Sequence, residues 1–168
     1  MADVKTAYGS SSALTISPAS LATSSTWLAG VESDAVSNTT NLYLDYLLAG
    51  KITVGTTPTI NTEIRVYVVG THDDTPTWPD VLDGTASAET ITSAGVRDGF
   101  AKLAATMAVD ATTSDRSYPF GPVSVASLFG GVMPKQFVVF VAHNTGVNLN
   151  STAGNHVVSV TPVYQTVT

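Results

Sequence analysis

The segment QFVVFVAH, residues 136–143, limits the fold more than any other stretch of the chain. In an extended strand successive side chains point to opposite faces. Val138 and Phe140 therefore lie on one face, and Phe137, Val139 and Val141 on the other. Both faces are apolar. A strand in a two-sheet sandwich has to bury only one face, so the second implies a further layer. That layer is either a long loop of the same chain or a neighbouring chain.

Period-two alternation recurs along the sequence and helical periodicity is scarce. Extended segments are expected at ALTI (13–16), STWLAG (25–30), NLYLDYLLAG (41–50), KITVG (51–55), EIRVYVVG (63–70), AKLAATMAVD (101–110), QFVVFVAH (136–143) and HVVSVTPVYQ (156–165). Eight short strands punctuated by Gly, Pro and Asn predict an all-β fold, a two-sheet β-sandwich of jelly-roll or Greek-key type. One or two single-turn helices are expected. SVASLFGG (124–131) offers Ser124 as N-cap and Gly130 as stop, and Thr92–Asp98 offers a second turn. The stretch from Thr71 to Gly99 has the length of a crossover, where a strand would change sheets. Residues 1–12 are small and polar and predict a mobile N-terminal arm. Residues 13–168 form the sandwich domain.

Composition agrees. The chain is 43% hydrophobic but only 12% charged, and Ser and Thr make up about a quarter of it, as suits pleated surfaces. A net charge of −6, with seven scattered Lys and Arg, argues against nucleic acid, which requires a basic stripe. With no cysteine there is no disulfide framework and no thiolate chemistry. The start MADVKTAYGSSS lacks the apolar stretch of a signal peptide, and no apolar run approaches membrane-spanning length. The expectation is a soluble protein made in a cytoplasm.

Candidate chemistry is sparse. His143 and His156 flank NTGVNLNSTAGN, and Asn, Thr and Gly there supply what a chain reversal requires, so a β-hairpin with the histidines at its mouth is expected. Two histidines are too few for zinc, which takes three or four ligands, and no metal is expected. THDDTPTWPDVLDG (71–84) gathers His72, Asp73, Asp74, Asp80 and Asp83, oxygen donors of the kind Ca²⁺ accepts, but without EF-hand spacing and stiffened by Pro76 and Pro79. A solvated loop is expected there. Trp78 in that loop either plugs the sandwich edge or anchors a partner, with plugging preferred. Nucleophile-elbow, phosphate-loop, dinucleotide and zinc-protease motifs are all absent from the sequence. Asp45 and the Glu63/Arg65 pair are the residues from which a glycosidase-like acid/base pair would have to come, and they fit a solvated sheet face better. No cofactor and no catalysis are expected. Trp27, Tyr43, Tyr46 and Tyr67 are aromatics able to stack on sugars, and each equally fits a core or sheet face.

NTTNLYLDYLLAGKITVGTTPT, the Trp-Pro-Asp loop, SVASLFGGVMPK and HNTGVNLNSTAGNH together resemble small structural proteins of tailed bacteriophages, specifically the jelly-roll cement or head-decoration proteins. The likeness runs from about Leu14 to Tyr164. It implies a virion protein assembled in the host cytoplasm, a dimer or trimer bound to the outside of the major capsid protein shell, with no catalytic residues. Contacts with the partner are expected at the arm 2–12, with Tyr8 as anchor, and at the loops carrying Trp78 and Phe129. The alternative is a carbohydrate- or receptor-binding module of a phage tail or baseplate.

Overall fold

A computed structural model describes residues 3–167. Among them, eleven strands, two short α-helices and one 3-10 turn occur in the order β1 (Val4–Tyr8), β2 (Ser12–Ala13), β3 (Ala29–Glu32), β4 (Val36–Ser37), β5 (Asp45–Thr53), β6 (Thr62–Thr71), β7 (Ala88–Thr90), α1 (Ala94–Phe100), β8 (Lys102–Val109), β9 (Ser117–Ser124), α2 (Val125–Leu128), β10 (Gln136–His143), the 3-10 turn (Ala153–Asn155) and β11 (Val157–Val167). All pairings are antiparallel. One sheet runs β1-β11-β5-β9, with β2 also on β11; the other runs β7-β3-β10-β6-β8, with β4 also on β10. We call them sheets A and B. Counting β1 with β2 and β3 with β4, successive segments alternate between sheets except where β6 leads on to β7 and β8, which is the double Greek key of a jelly roll.

The core between the sheets holds Tyr46, Leu48 and Ile52 of β5, Val158 and Val160 of β11, Ile64, Val66 and Val68 of β6, and Phe137, Val139 and Val141 of β10. The opposite face of sheet B is just as dry. Tyr67, Val69, Val138, Phe140 and Ala142 form a second buried cluster, closed by Leu82, Ile91 and Ala101 and by the half-buried Trp27, Leu28, Ala35, Trp78 and Phe100. The second layer implied by β10 is thus the chain's own stretch between β6 and β8, with help from residues 27–35. Each large side chain sealed there contributes about 1.5–3 kcal/mol.

That stretch does not change sheets, as its length had suggested. It leaves β6 and returns to the same sheet as β7 and β8, passing across the outside. Backbone and carboxylate bonds fasten it to β3. The fully buried Glu32 accepts from the Gly84 N–H at 2.8 Å and the Asp83 N–H at 3.2 Å. Glu32 N–H bonds the Ser87 carbonyl, Ala35 N–H bonds the Gly84 carbonyl, and Ala86 N–H bonds Asp34 Oδ1. Burial raises the Glu32 carboxyl above its ordinary pKa, against the pull of the two amides. Gly84 sits at φ +82 with the Trp78 indole directly above it, so a side chain there would be both strained and blocked.

Both helical turns lie where they were expected. Ser93 caps α1 by accepting from Val96 N–H, and Ser124 caps α2 by accepting from Ser127 N–H. Other expectations need correction. Residues 41–55 do not give two strands, because β5 runs through Gly50, whose missing side chain lets the Val157 carbonyl and the Phe120 ring approach. Ser117–Ser124 is a strand despite Pro119 and Pro122. It lies at the edge of sheet A, where a missing N–H costs no ladder bond. The N-terminal arm is not free either: Val4–Tyr8 pairs along β11, from Val4 opposite Val167 to Tyr8 opposite Val163. Residues 1 and 2 of that arm lie outside the described residues.

Candidate functional site

Phe137–Val160 is not a hairpin. β10 belongs to sheet B and β11 to sheet A, so residues 144–156 cross the end of the sandwich. Leu149 enters the core on that path and bridges to Val54 of the β5 end. His143 is fully buried at the end of β10. Its Nε2 lies 3.0 Å from the Leu21 carbonyl and its Nδ1 3.0 Å from Thr145 Oγ1. His156 places Nε2 2.8 Å from the Asn150 carbonyl and accepts from the Thr53 N–H at Nδ1. Burial lowers both imidazoles, His143 to about 4.

The carboxylates of the 71–84 loop do not converge. Asp74 pairs with Lys135, which lowers its pKa. Asp80 takes the Thr92 N–H at 2.7 Å and the Thr92 hydroxyl at 2.6 Å, which lowers its pKa too. Asp83 bonds the Thr85 N–H. Among the described residues no three His, Asp or Glu side chains come together as metal ligands. Asp45 accepts from the Tyr46 and Ala126 N–H groups on sheet A, whereas Glu63 and Arg65 pair at 2.7 Å on sheet B, so they do not form a common site.

The aromatic candidates are similarly committed. Tyr46 and Tyr67 are core residues. The Arg65 guanidinium covers Trp27 at 3.8 Å from the ring centre, and Tyr43 packs against Tyr46 and Tyr164. Of the three expected anchors, Trp78 lies half-buried on the second cluster and Phe129 half-buried on the first, its ring over Gly70. Tyr8 is 64% exposed.

What surrounds Tyr8 is the most distinctive surface of the molecule. Because Val158, Val160, Leu48 and Ile52 point into the core, their neighbours Val157, Ser159, Thr161, Val163, Leu47, Ala49 and Lys51 point out. Register places Tyr8 beside Val163, Thr6 beside Gln165, Val4 beside Val167, and Leu47 beside Thr161. Leu44, whose N–H bonds the Val163 carbonyl, borders the row. Val4, Tyr8, Leu44, Val157 and Val167 are all exposed. Charge is nearly absent: Lys51 lies at one end, and Asp45 at the other is engaged with backbone amides. Asp73, Asp74, Asp80, Asp83, Glu89 and Asp98 all lie on the covered side of sheet B or in its covering stretch. The acidic chain therefore keeps one broad face nearly free of charge. Sequence alternation contained this face, but nothing in it distinguished which sheet the long loop would cover.

No known protein family, curated protein or solved structure matches the chain. Among the described residues no helix is long and apolar enough to cross a membrane.

Proposed function

We propose that this chain is a structural virion protein, a cement or head-decoration protein that binds the outside of a tailed phage's major capsid protein shell as a dimer or trimer and stabilises it. One observation carries the proposal. The chain seals the outer face of sheet B with its own residues and leaves the outer face of sheet A broad, rich in Val, Thr and Leu, and almost without charge. Contiguous exposed apolar surface of this kind marks interaction sites. Aromatic and aliphatic anchors on a rigid sheet bind without the ordering cost that a flexible loop incurs. Tyr8 at the β1 edge is the natural anchor, and the resemblance read in the sequence is the reason a capsid shell is proposed as the partner.

The test is to separate purified virions into heads and tails and locate the chain by mass. It is expected with heads, at a copy number that scales with the shell. Val163→Asp is expected to leave the fold intact and reduce head binding by at least 10-fold, since it places a charge at the centre of the face. Recovery with tails, or unchanged binding by the folded variant, contradicts the proposal.

A further inference from the structure

His143 and His156 are unused by the proposed binding face, yet they join three parts of the chain at one end of the sandwich. A carbonyl oxygen only accepts, so the contacts to the Leu21 and Asn150 carbonyls place the proton of each neutral ring on Nε2. Nδ1 is then a lone pair in both. It receives the Thr145 N–H at His143 and the Thr53 N–H at His156, each at 3.4 Å. A second proton on either ring would point at a backbone donor. At His143 the Thr145 hydroxyl lies 3.0 Å from both Nδ1 and the Val147 carbonyl: it donates to Nδ1 of the neutral ring and, turned to the carbonyl, would offer a lone pair to a second proton, but the charge would still be buried.

Among the described residues no carboxylate hydrogen-bonds either ring. The charged groups facing them are each other and Lys51, all of which oppose protonation. On neighbouring elements, Glu63 is paired with Arg65, next to the Ile64 that stands opposite His143, and Asp115 is held by Asn150 Nδ2. The rings sit where the 144–156 crossing meets its supports. Ser24 N–H bonds the His143 carbonyl, Leu149 N–H bonds the Leu21 carbonyl, Ser20 N–H bonds the Asn150 carbonyl, and Asn150 N–H bonds the Thr53 carbonyl. A groove of about 360 Å³ lies over this junction, lined by Ser20, Gly55, Thr56, Asp115, Asn148 and Asn150 among others.

We propose that His143 and His156 form an acid-operated latch: protonation of the two rings releases the 144–156 crossing together with residues 18–24, opening this end of the sandwich while both sheets remain paired. The sign follows from linkage. In the open form the imidazoles take up protons at their ordinary value near 6.5, and in the closed form His143 does so only at about 4. Between these values the open form binds more protons, so closure weakens as pH falls. For His143 alone the opening constant rises about 20-fold between pH 7 and pH 5. Glu32 works the other way, because its raised pKa gives stability that is full below the ordinary value of 4.5 and lost as pH rises through its folded value.

Amide hydrogen exchange of the full chain at pH 7 and pH 5, corrected for the intrinsic pH dependence of exchange, tests the latch. Residues 18–24 and 144–156 are expected to open about 20-fold more at pH 5, with Val138–Val141 unchanged. The His143→Gln/His156→Gln variant, whose amides can donate to the same carbonyls but do not titrate, is expected to lose this pH dependence. Unchanged loops, or a uniform rise across both sheets, would overturn the proposal. If the double variant does not fold, imidazole titration of the wild-type chain by NMR decides. Both rings are expected to titrate below the ordinary 6.5, His143 near 4, together with the loop amides; rings titrating near 6.5 without loop changes would overturn it.

Discussion

Phe140→Ala is expected to destabilise the chain by about 3–5 kcal/mol, the cost of a large cavity in a packed core. Phe140 is 0% exposed although it faces away from the space between the two sheets. It lies 6.4 Å, centre to centre, from the Tyr67 ring, and its edge presses on Gly30, where any side chain would collide with it. In a two-layer sandwich that position would be solvated, and the same change would fall within about 0.5 kcal/mol. Urea denaturation therefore measures whether sheet B is closed on both sides. Val163→Ala on the open face of sheet A serves as the matched control and is expected to cost less than about 1 kcal/mol, because the valine is only half-buried.

Glu32→Ala is expected to cost about 1–3 kcal/mol, since it takes the charged acceptor from the part-buried Asp83 and Gly84 N–H groups. The effect should be felt first in the covering stretch. Limited proteolysis is expected to cut the variant between residues 72 and 92 well before the sheets, where the parent chain resists. Glu32→Gln, which retains one acceptor oxygen, is expected to lose about half as much. Equal proteolytic resistance of Glu32→Ala and the parent would mean that the carboxylate does not hold the cover.

The part of this architecture that could be read from the sequence was the part carried by alternation. The two apolar faces of β10 foretold a third layer, and Ser124 and Gly130 marked the ends of α2. Alternation gives strands and faces but not partners. His143 and His156 therefore looked like a hairpin mouth although β10 and β11 lie in different sheets. Gly50 looked like a strand end because its reason for being glycine, the approach of Val157 and Phe120, comes from far along the chain. Pro119 and Pro122 hid β9 because edge position is a tertiary property.

The candidate site was legible only in part. Tyr8 was visible as an aromatic near the chain start. Its row of exposed neighbours depends on the β1–β11 register, which the polar start of the chain did not announce. Glu32 left no signal at all, being one of two acidic residues in GVESD, with partners 51 and 52 positions away. Trp78 and Phe129, alike in the sequence as aromatics on loops, are both turned toward their own chain.

The most direct measurement of the central claim is covalent side-chain footprinting of the chain, free in solution and bound to phage heads. Binding through the open face requires Tyr8, Val157, Val163 and Leu47 to lose labelling on the particle while Val81 and Val96 of the covering stretch keep theirs. Protection of Val81 and Val96 with undiminished labelling of Tyr8 and Val163 would contradict it.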